Sequence, residues 1–157
     1  MQRINRFIRK IPFFYAFAVL SIALACAYFL FRLIFHKLLD GRFNIIFAEA
    51  PYYEMPRWWL FFGVLVVAPL VETLLKIAVY HLLRLIKWLR KRECYIVLII
   101  GVLFGLWHFF SLASVIAVTI AGIFFMYAYT VRRRKGGYWM AVLLHIFYNG
   151  MVILVST

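Results

Sequence analysis

Long apolar stretches separated by short charged blocks organise this chain of 157 residues. Apolar stretches of about 18 residues or more are typical of membrane-crossing helices, because a bilayer core about 30 Å thick takes about 20 residues of helix. The pattern predicts five such helices, with expected ranges of 11–35, 59–82, 94–111, 113–131 and 138–156. We therefore expect an all-α, polytopic transmembrane helix bundle that forms a single domain over residues 1–157.

The boundary between the third and fourth helices follows from length alone. Residues 94–131 contain no Asp, Glu, Lys or Arg, and as one helix they would be about 57 Å long at about 1.5 Å per residue. A helix of that length is too long for one crossing of the bilayer and matches two crossings. We place the turn between them near Ser111 to Ser114, although no Gly or Pro marks it.

Positive charge is concentrated in three blocks, at residues 3–10, 84–92 and 132–135. Five helices place all three blocks on the same side of the membrane, and cytoplasmic segments are the ones that carry excess Lys and Arg. The N-terminus is therefore predicted to be cytoplasmic. The first apolar stretch continues well past Cys26, which is longer than the core of a signal peptide, so we expect an uncleaved first span.

The net charge of +13 raises the question of nucleic-acid binding. The basic residues lie in short blocks between spans, a pattern typical of topology signals and of contacts with anionic lipids. We therefore expect the lipid bilayer, and no nucleic acid, as a partner. Cys26 and Cys94 lie within or at the edge of spans and indicate neither a disulfide framework nor a metal site.

Polar side chains inside the spans are the candidates for function, because an ionisable group at that depth costs several kcal/mol unless it pairs or performs a task. Counted from the nearest basic residue at about 1.5 Å per residue, Glu72 lies about 18 Å deep, His108 about 24 Å, His145 about 15 Å and Asn149 about 21 Å. Three helices thus bring four polar groups to one layer. Lys76 shares a helix face with Glu72, as Asn149 does with His145.

A carboxylate beside an imidazole can hold and deprotonate a water, and a second imidazole with an amide can donate hydrogen bonds to an oxyanion. This combination suits hydrolysis of a peptide bond by water, without a covalent nucleophile. Other interpretations remain open: each residue could make only an interhelical hydrogen bond, or Lys76 could simply neutralise Glu72. Two His and one Glu could also ligate zinc, although the HExxH spacing is absent, so no cofactor is the leading expectation.

Three motifs resemble those of the CPBP family of intramembrane proteases, described as metalloproteases or glutamic proteases, which includes type II CAAX prenyl proteases and bacteriocin-processing (Abi) proteins. The family pattern is Ala-Pro followed by Glu-Glu-x-x-x-Arg, then Phe-x-x-x-His, then His-x-x-x-Asn or Asp. The matching segments are Ala68-Pro69 with Glu72 to Lys76, Phe104 to His108, and His145 to Asn149. The resemblance covers about residues 59–155. It implies that Glu72 and His108 activate water and that His145 and Asn149 stabilise the oxyanion, with Thr73, Lys76 and Phe104 in support.

The first motif can be aligned in two ways. Counted from Pro69, Glu72 takes the first Glu position, Thr73 replaces the second Glu, and Ile77 stands where the family has Arg. Counted from the cation, Lys76 replaces the Arg and the catalytic carboxylate is missing. The first alignment is preferred because it retains that carboxylate.

The expected function is an intramembrane endopeptidase of a bacterial cytoplasmic membrane, acting on a peptide or protein that is itself anchored in the membrane. One alternative is a catalytically inactive relative that serves as an immunity or scaffold protein. The other is a zinc-dependent membrane enzyme or metal transporter that uses the same Glu and His residues.

Overall fold

The computed structural model describes residues 2–39, 56–109 and 111–156. Every regular element within these ranges is helical, which confirms the all-α prediction. The elements are α1 (Gln2–Lys10), α2 (Phe13–Leu39), α3 (Arg57–Trp59), a π-helical segment (Leu60–Val67), α4 (Ala68–Leu83), α5 (Lys87–Arg90), α6 (Glu93–Trp107), α7 (Leu112–Arg132) and α8 (Gly137–Ser156).

Four helical segments are long and apolar enough to cross a membrane: Phe13–Phe35, Phe61–Leu83, Leu112–Arg132 and Gly137–Val155. Their exposed side chains are largely apolar, as expected where lipid replaces water around the bundle. The chain is a multi-pass membrane protein. The expected third span is the shorter helix α6, whose 15 residues extend about 22 Å and so fall short of a full crossing.

The turn between α6 and α7 begins earlier than the sequence suggested. The structure ends α6 at Trp107, whereas the sequence predicted helix to residue 111 and a turn near Ser111 to Ser114. Ser111 is the N-cap of α7: its side chain accepts a hydrogen bond from the Ser114 backbone N–H at 3.0 Å, and the Ser111 N–H donates to Ser114 Oγ at 2.9 Å. This capping box begins the helix at the predicted turn. The predicted position was therefore wrong by about one helical turn.

Helix α7 lies at the centre of the bundle and contacts α1, α2, α4, α6 and α8. Its inward face is fully buried at Ala121, Phe125 and Met126. Helix α6 approaches α7 closely through Gly101 and Gly105, where an added Cβ would collide with backbone or side-chain atoms of α7. Small residues four apart are the usual means by which membrane helices pack closely. This packing places the end of α6 against the bundle core.

The three basic blocks lie at one end of the bundle. Arg9 Nε donates to the Val131 carbonyl at 3.1 Å, which joins the N-terminal block to the end of α7. Arg133 Nη1 lies 3.4 Å from Glu93 Oε1, which joins the same end of α7 to the start of α6, next to the 84–92 block. The predicted grouping of the blocks is therefore confirmed, and the cytoplasmic assignment of this end stays a prediction.

Candidate active site

Glu72 is placed between two imidazoles that come from other helices. Its Oε1 lies 3.9 Å from His108 Nε2, and its Oε2 lies 3.5 Å from His145 Nε2. The side chains of Glu72 and His108 are each 25% exposed, whereas that of His145 is 3% exposed. Helix α4, the end of α6 and helix α8 thus deliver one ionisable group each, as the depths counted from the sequence suggested. The carboxylate is enclosed yet can still be reached from outside the bundle.

The orientation of His108 follows from its position just after α6. Its backbone N–H bonds the Gly105 carbonyl at 3.0 Å, and its Nδ1 donates to the Phe104 carbonyl at 2.9 Å, one of the orphan carbonyls at the helix end. Because Nδ1 carries the proton, Nε2 of the neutral ring is an acceptor, and it faces Glu72. The short α6 therefore presents an imidazole lone pair to the carboxylate.

His145 lies in a line between a cation and the carboxylate. Lys76 Nζ is 3.5 Å from His145 Nδ1, and both residues are buried. Because an ammonium group can only donate, Nδ1 accepts and the ring proton sits on Nε2, pointing towards Glu72. The structure thus pairs Lys76 with His145, where the sequence had suggested that it could neutralise Glu72 directly.

Two aromatic rings enclose this pair. Lys76 Nζ lies 3.4 Å from the centroid of the Phe104 ring and 5.0 Å from that of Phe125, distances at which a cation is attracted to a ring face. Phe125 also stacks on His145, with centroids 4.6 Å apart at an interplanar angle of 27°. Sequence reasoning missed Phe125, because a Phe within an apolar helix carries no signal that distinguishes it from its neighbours.

Asn149 makes a different contact from the one its predicted role implies. Its Nδ2 donates to the Val64 carbonyl at 2.9 Å, in the π-helical segment that precedes α4. One N–H of the amide is therefore committed to the backbone of the helix that carries Glu72. The second N–H keeps the predicted part in oxyanion stabilisation a prediction.

With this geometry established, the comparison with known proteins adds one match. A model of the type II CAAX prenyl endopeptidase Rce1-like family matches residues 54–151, more than half of the 157 residues. The chain belongs to this family. The matched range contains all three motifs and agrees with the range of about 59–155 expected from the sequence, so the suspected CPBP resemblance is confirmed. No curated protein and no solved structure matches the chain.

The Pro of the family's Ala-Pro pair accounts for the π-helical segment. Proline lacks a backbone N–H, and its ring collides with the carbonyl four residues earlier in an α-helix. The chain here follows the wider i→i−5 pattern, as shown by the Ala68 N–H, which bonds the Gly63 carbonyl. The next bond in that pattern would run from residue 69 to Val64, and Pro69 cannot make it. Asn149 therefore satisfies the carbonyl that Pro69 leaves unpaired, at a depth where water is scarce.

This arrangement predicts that the effects of changing Asn149 and Pro69 on stability are coupled. We expect Asn149→Leu to lower the free energy of unfolding by about 1 kcal/mol, because a buried carbonyl loses its donor. In a Pro69→Ala background, the backbone N–H restored at position 69 can bond the same segment, and the cost of Asn149→Leu should fall to a few tenths of a kcal/mol. Thermal unfolding of the four proteins in one detergent measures the coupling. Equal costs in both backgrounds would contradict it.

Thr73, the residue at the family's second Glu position, is fully buried. One residue turns about 100° around a helix, so Thr73 does not share the face of Glu72 and Lys76. Its Oγ1 has no hydrogen-bond partner within the described part of the chain. The structure thus places Glu72 and Lys76, but not Thr73, in the cluster of catalytic candidates.

A metal centre was one of the alternatives for these residues. Among the described residues, no group of three or more His, Cys, Asp or Glu side chains is arranged to hold a metal ion. Lys76 adds a positive charge beside His145, and a nearby cation disfavours a divalent metal.

Proposed function

We propose that the protein is an intramembrane endopeptidase in which Glu72 and His108 activate a water molecule. Membership in a family of CAAX prenyl endopeptidases indicates a membrane protease. The single observation that carries the finer proposal is the facing pair of acceptors, Glu72 Oε1 and His108 Nε2, at 3.9 Å. This separation is too long for a direct hydrogen bond, and it suits a water that donates one proton to each atom.

The reaction follows from these positions. The water oxygen attacks the carbonyl carbon of the scissile bond while one water proton passes to Glu72. The carbonyl oxygen becomes an oxyanion, and the Nε2–H of His145, directed towards the same carboxylate, is placed to donate to it. When the C–N bond breaks, the proton on Glu72 passes to the leaving amine. The carboxylate is thereby restored, and no covalent enzyme intermediate forms.

Lys76 and Asn149 act on this reaction through other groups. Lys76 holds His145 in the tautomer that presents Nε2–H, because its ammonium group can only donate to Nδ1. Asn149 holds the segment from which α4 and Glu72 extend. Its second N–H would add a further donor to the oxyanion, as the family motif implies. The proposed mechanism uses no cofactor.

The substrate is proposed to be a peptide or protein anchored in the same membrane, because the site lies within the bundle rather than on a soluble domain. A bacterial cytoplasmic membrane is the proposed location. The apolar surroundings of the site do not distinguish a prenylated CAAX sequence from another lipid-anchored or membrane-spanning peptide.

The test is hydrolysis by the purified chain in liposomes, with two quenched fluorescent peptides of one CAAX sequence, prenylated and unprenylated. We expect cleavage of the membrane-anchored peptide in the presence of a chelator, and one ¹⁸O atom in the new carboxylate when the reaction runs in H₂¹⁸O. Activity that a chelator abolishes and zinc restores would support the zinc-dependent alternative. Cleavage of neither peptide, nor of a panel of transmembrane peptides, would contradict the proposal.

One sequence feature favours the inactive relative as the second candidate. Thr73 and Ile77 occupy the positions at which the family motif has its second Glu and its Arg. A scaffold or immunity protein needs Glu72 only for packing. It would therefore keep its biological phenotype when Glu72 becomes Gln, whereas a protease would lose it.

A further inference from the structure

A cavity of about 580 Å³ lies at the basic end of the bundle, away from the candidate active site. It is formed where α1 docks against the end of α7 and the turn that follows. Its lining consists of Arg6, Arg9 and Lys10 from α1 and residues 130–135. Helix α1 was not predicted as a separate element, and the sequence gave no indication that its basic residues face those of residues 132–135 across a cavity.

The charge of this cavity is unbalanced. Seven of the lining residues are Lys or Arg, and none is Asp or Glu. The nearest acidic contact is Glu93, which pairs with Arg133 at 3.4 Å, and Glu72, the other acid among the described residues, belongs to the active site. Within the described chain, Arg6, Lys10, Arg134 and Lys135 have no acidic partner. A cluster of this kind is stabilised by an anion supplied from outside the chain.

The cavity is a built feature, because hydrogen bonds hold its walls in place. Arg132 is only 5% exposed, and its Nη1 donates to the carbonyls of Ile8 at 2.7 Å and Ile11 at 3.0 Å. Arg9 returns a bond to the Val131 carbonyl, and the Tyr127 hydroxyl donates to Asn5 Oδ1 at 2.8 Å. The buried Nε of Arg132 has no acceptor among the described residues. A guanidinium donor is thus available in the wall of a rigid basic cavity.

We infer that this cavity binds the phosphate group of an anionic ligand, and that the ligand is an anionic phospholipid headgroup. Arg pairs with phosphate through several parallel N–H donors, and Lys contributes point charge. The cavity lies where α2 enters the bilayer, and Ile4 and Phe7 of α1 expose apolar side chains next to the basic ones, as in helices that lie in the membrane interface. Basic pockets between membrane helices are typical sites for lipid headgroups.

The experiment uses the full chain in nanodiscs of a zwitterionic lipid. A fluorescent phosphatidylglycerol is titrated into the discs, and inorganic phosphate is titrated separately against the protein in neutral detergent. The variant Arg134→Gln/Lys135→Gln removes two exposed cavity cations that have no acidic partner in the described chain. The matched control is Arg90→Gln/Lys91→Gln, which removes the same charge from exposed positions outside the cavity.

We expect saturable binding of phosphatidylglycerol, with a Kd roughly 10- to 30-fold higher in the cavity variant and within about twofold of the unmodified protein in the control. Saturable binding of inorganic phosphate alone, with the same difference between variants, would retain the phosphate site and overturn its assignment to lipid. Equal losses in both variants, or no saturable binding in either arm, would overturn the inference altogether. If the cavity variant unfolds at a lower temperature than the control, Arg6→Gln/Lys10→Gln on α1 replaces it.

Discussion

We expect the Glu72→Gln variant to lose peptide hydrolysis by at least about 10³-fold, the largest effect of any single substitution in this chain. Gln keeps the size of the side chain and its ability to accept a hydrogen bond from His145 Nε2, which lies 3.5 Å from Oε2. It cannot take a proton from water near neutral pH, so only the proton transfer is removed. The measurement is kcat for cleavage of the membrane-anchored peptide in liposomes.

Glu93→Gln is the matched control, because Glu93 is the other acid in the described chain and lies at the basic end of the bundle. Glu93 accepts a hydrogen bond from the Tyr80 hydroxyl at 2.9 Å and pairs with Arg133, so its loss should affect stability rather than chemistry. We expect its kcat to stay within about threefold of the unmodified protein. A Glu72→Gln protein that folds and keeps its activity would rule out Glu72 as the base and favour the inactive relative.

Replacing His108 with Ala is expected to lower kcat by about 10²- to 10⁴-fold. The imidazole is held by its bond to the Phe104 carbonyl, so its Nε2 is the atom that orients the attacking water beside Glu72. KM should change little, because the lost interaction concerns the water and not the bound peptide. Single-turnover and steady-state cleavage assays separate the two parameters.

His81→Ala serves as the control for this substitution. His81 is exposed near the end of α4, and its ring makes a hydrogen bond to the Tyr129 hydroxyl at 3.1 Å, remote from the carboxylate. We expect its kcat to be nearly unchanged. The double variant Glu72→Gln/His108→Ala should be about as inactive as either single one, because the two groups act on one water. Losses that multiply in the double variant would show that His108 acts independently of Glu72.

Much of this site could be read from the sequence because its members are polar residues in apolar helices. Glu72, His108 and His145 are conspicuous for that reason, and helical spacing placed Lys76 on the face of Glu72. Counting residues also brought the three candidate helices to one depth, and the structure places both imidazoles within 3.9 Å of the carboxylate. Each of these inferences needs only local helix geometry and the cost of burying charge.

Other features depend on which helix faces which, and the sequence did not reveal them. The contact of Phe125 with His145 requires the packing of α7 on α8, and the pairing of Lys76 with His145 requires the packing of α4 on α8. The bond from Asn149 to Val64 depends on a π-helical segment that Pro69 imposes. An i→i+4 pattern does not predict that segment, so Asn149 was assigned to the oxyanion alone.

The sequence by itself determined that this protein is a helical membrane protein, which polar residues lie within its spans, and that its basic blocks share one side. Those properties follow from hydrophobicity, charge and the rise of a helix, which are local quantities. Only the tertiary structure decided the partner of each polar group, the early end of α6 and the enclosure of a basic cavity by α1 and α7. Those depend on contacts between residues distant in the chain, where the geometry of close packing, rather than the pattern of any one segment, selects the arrangement.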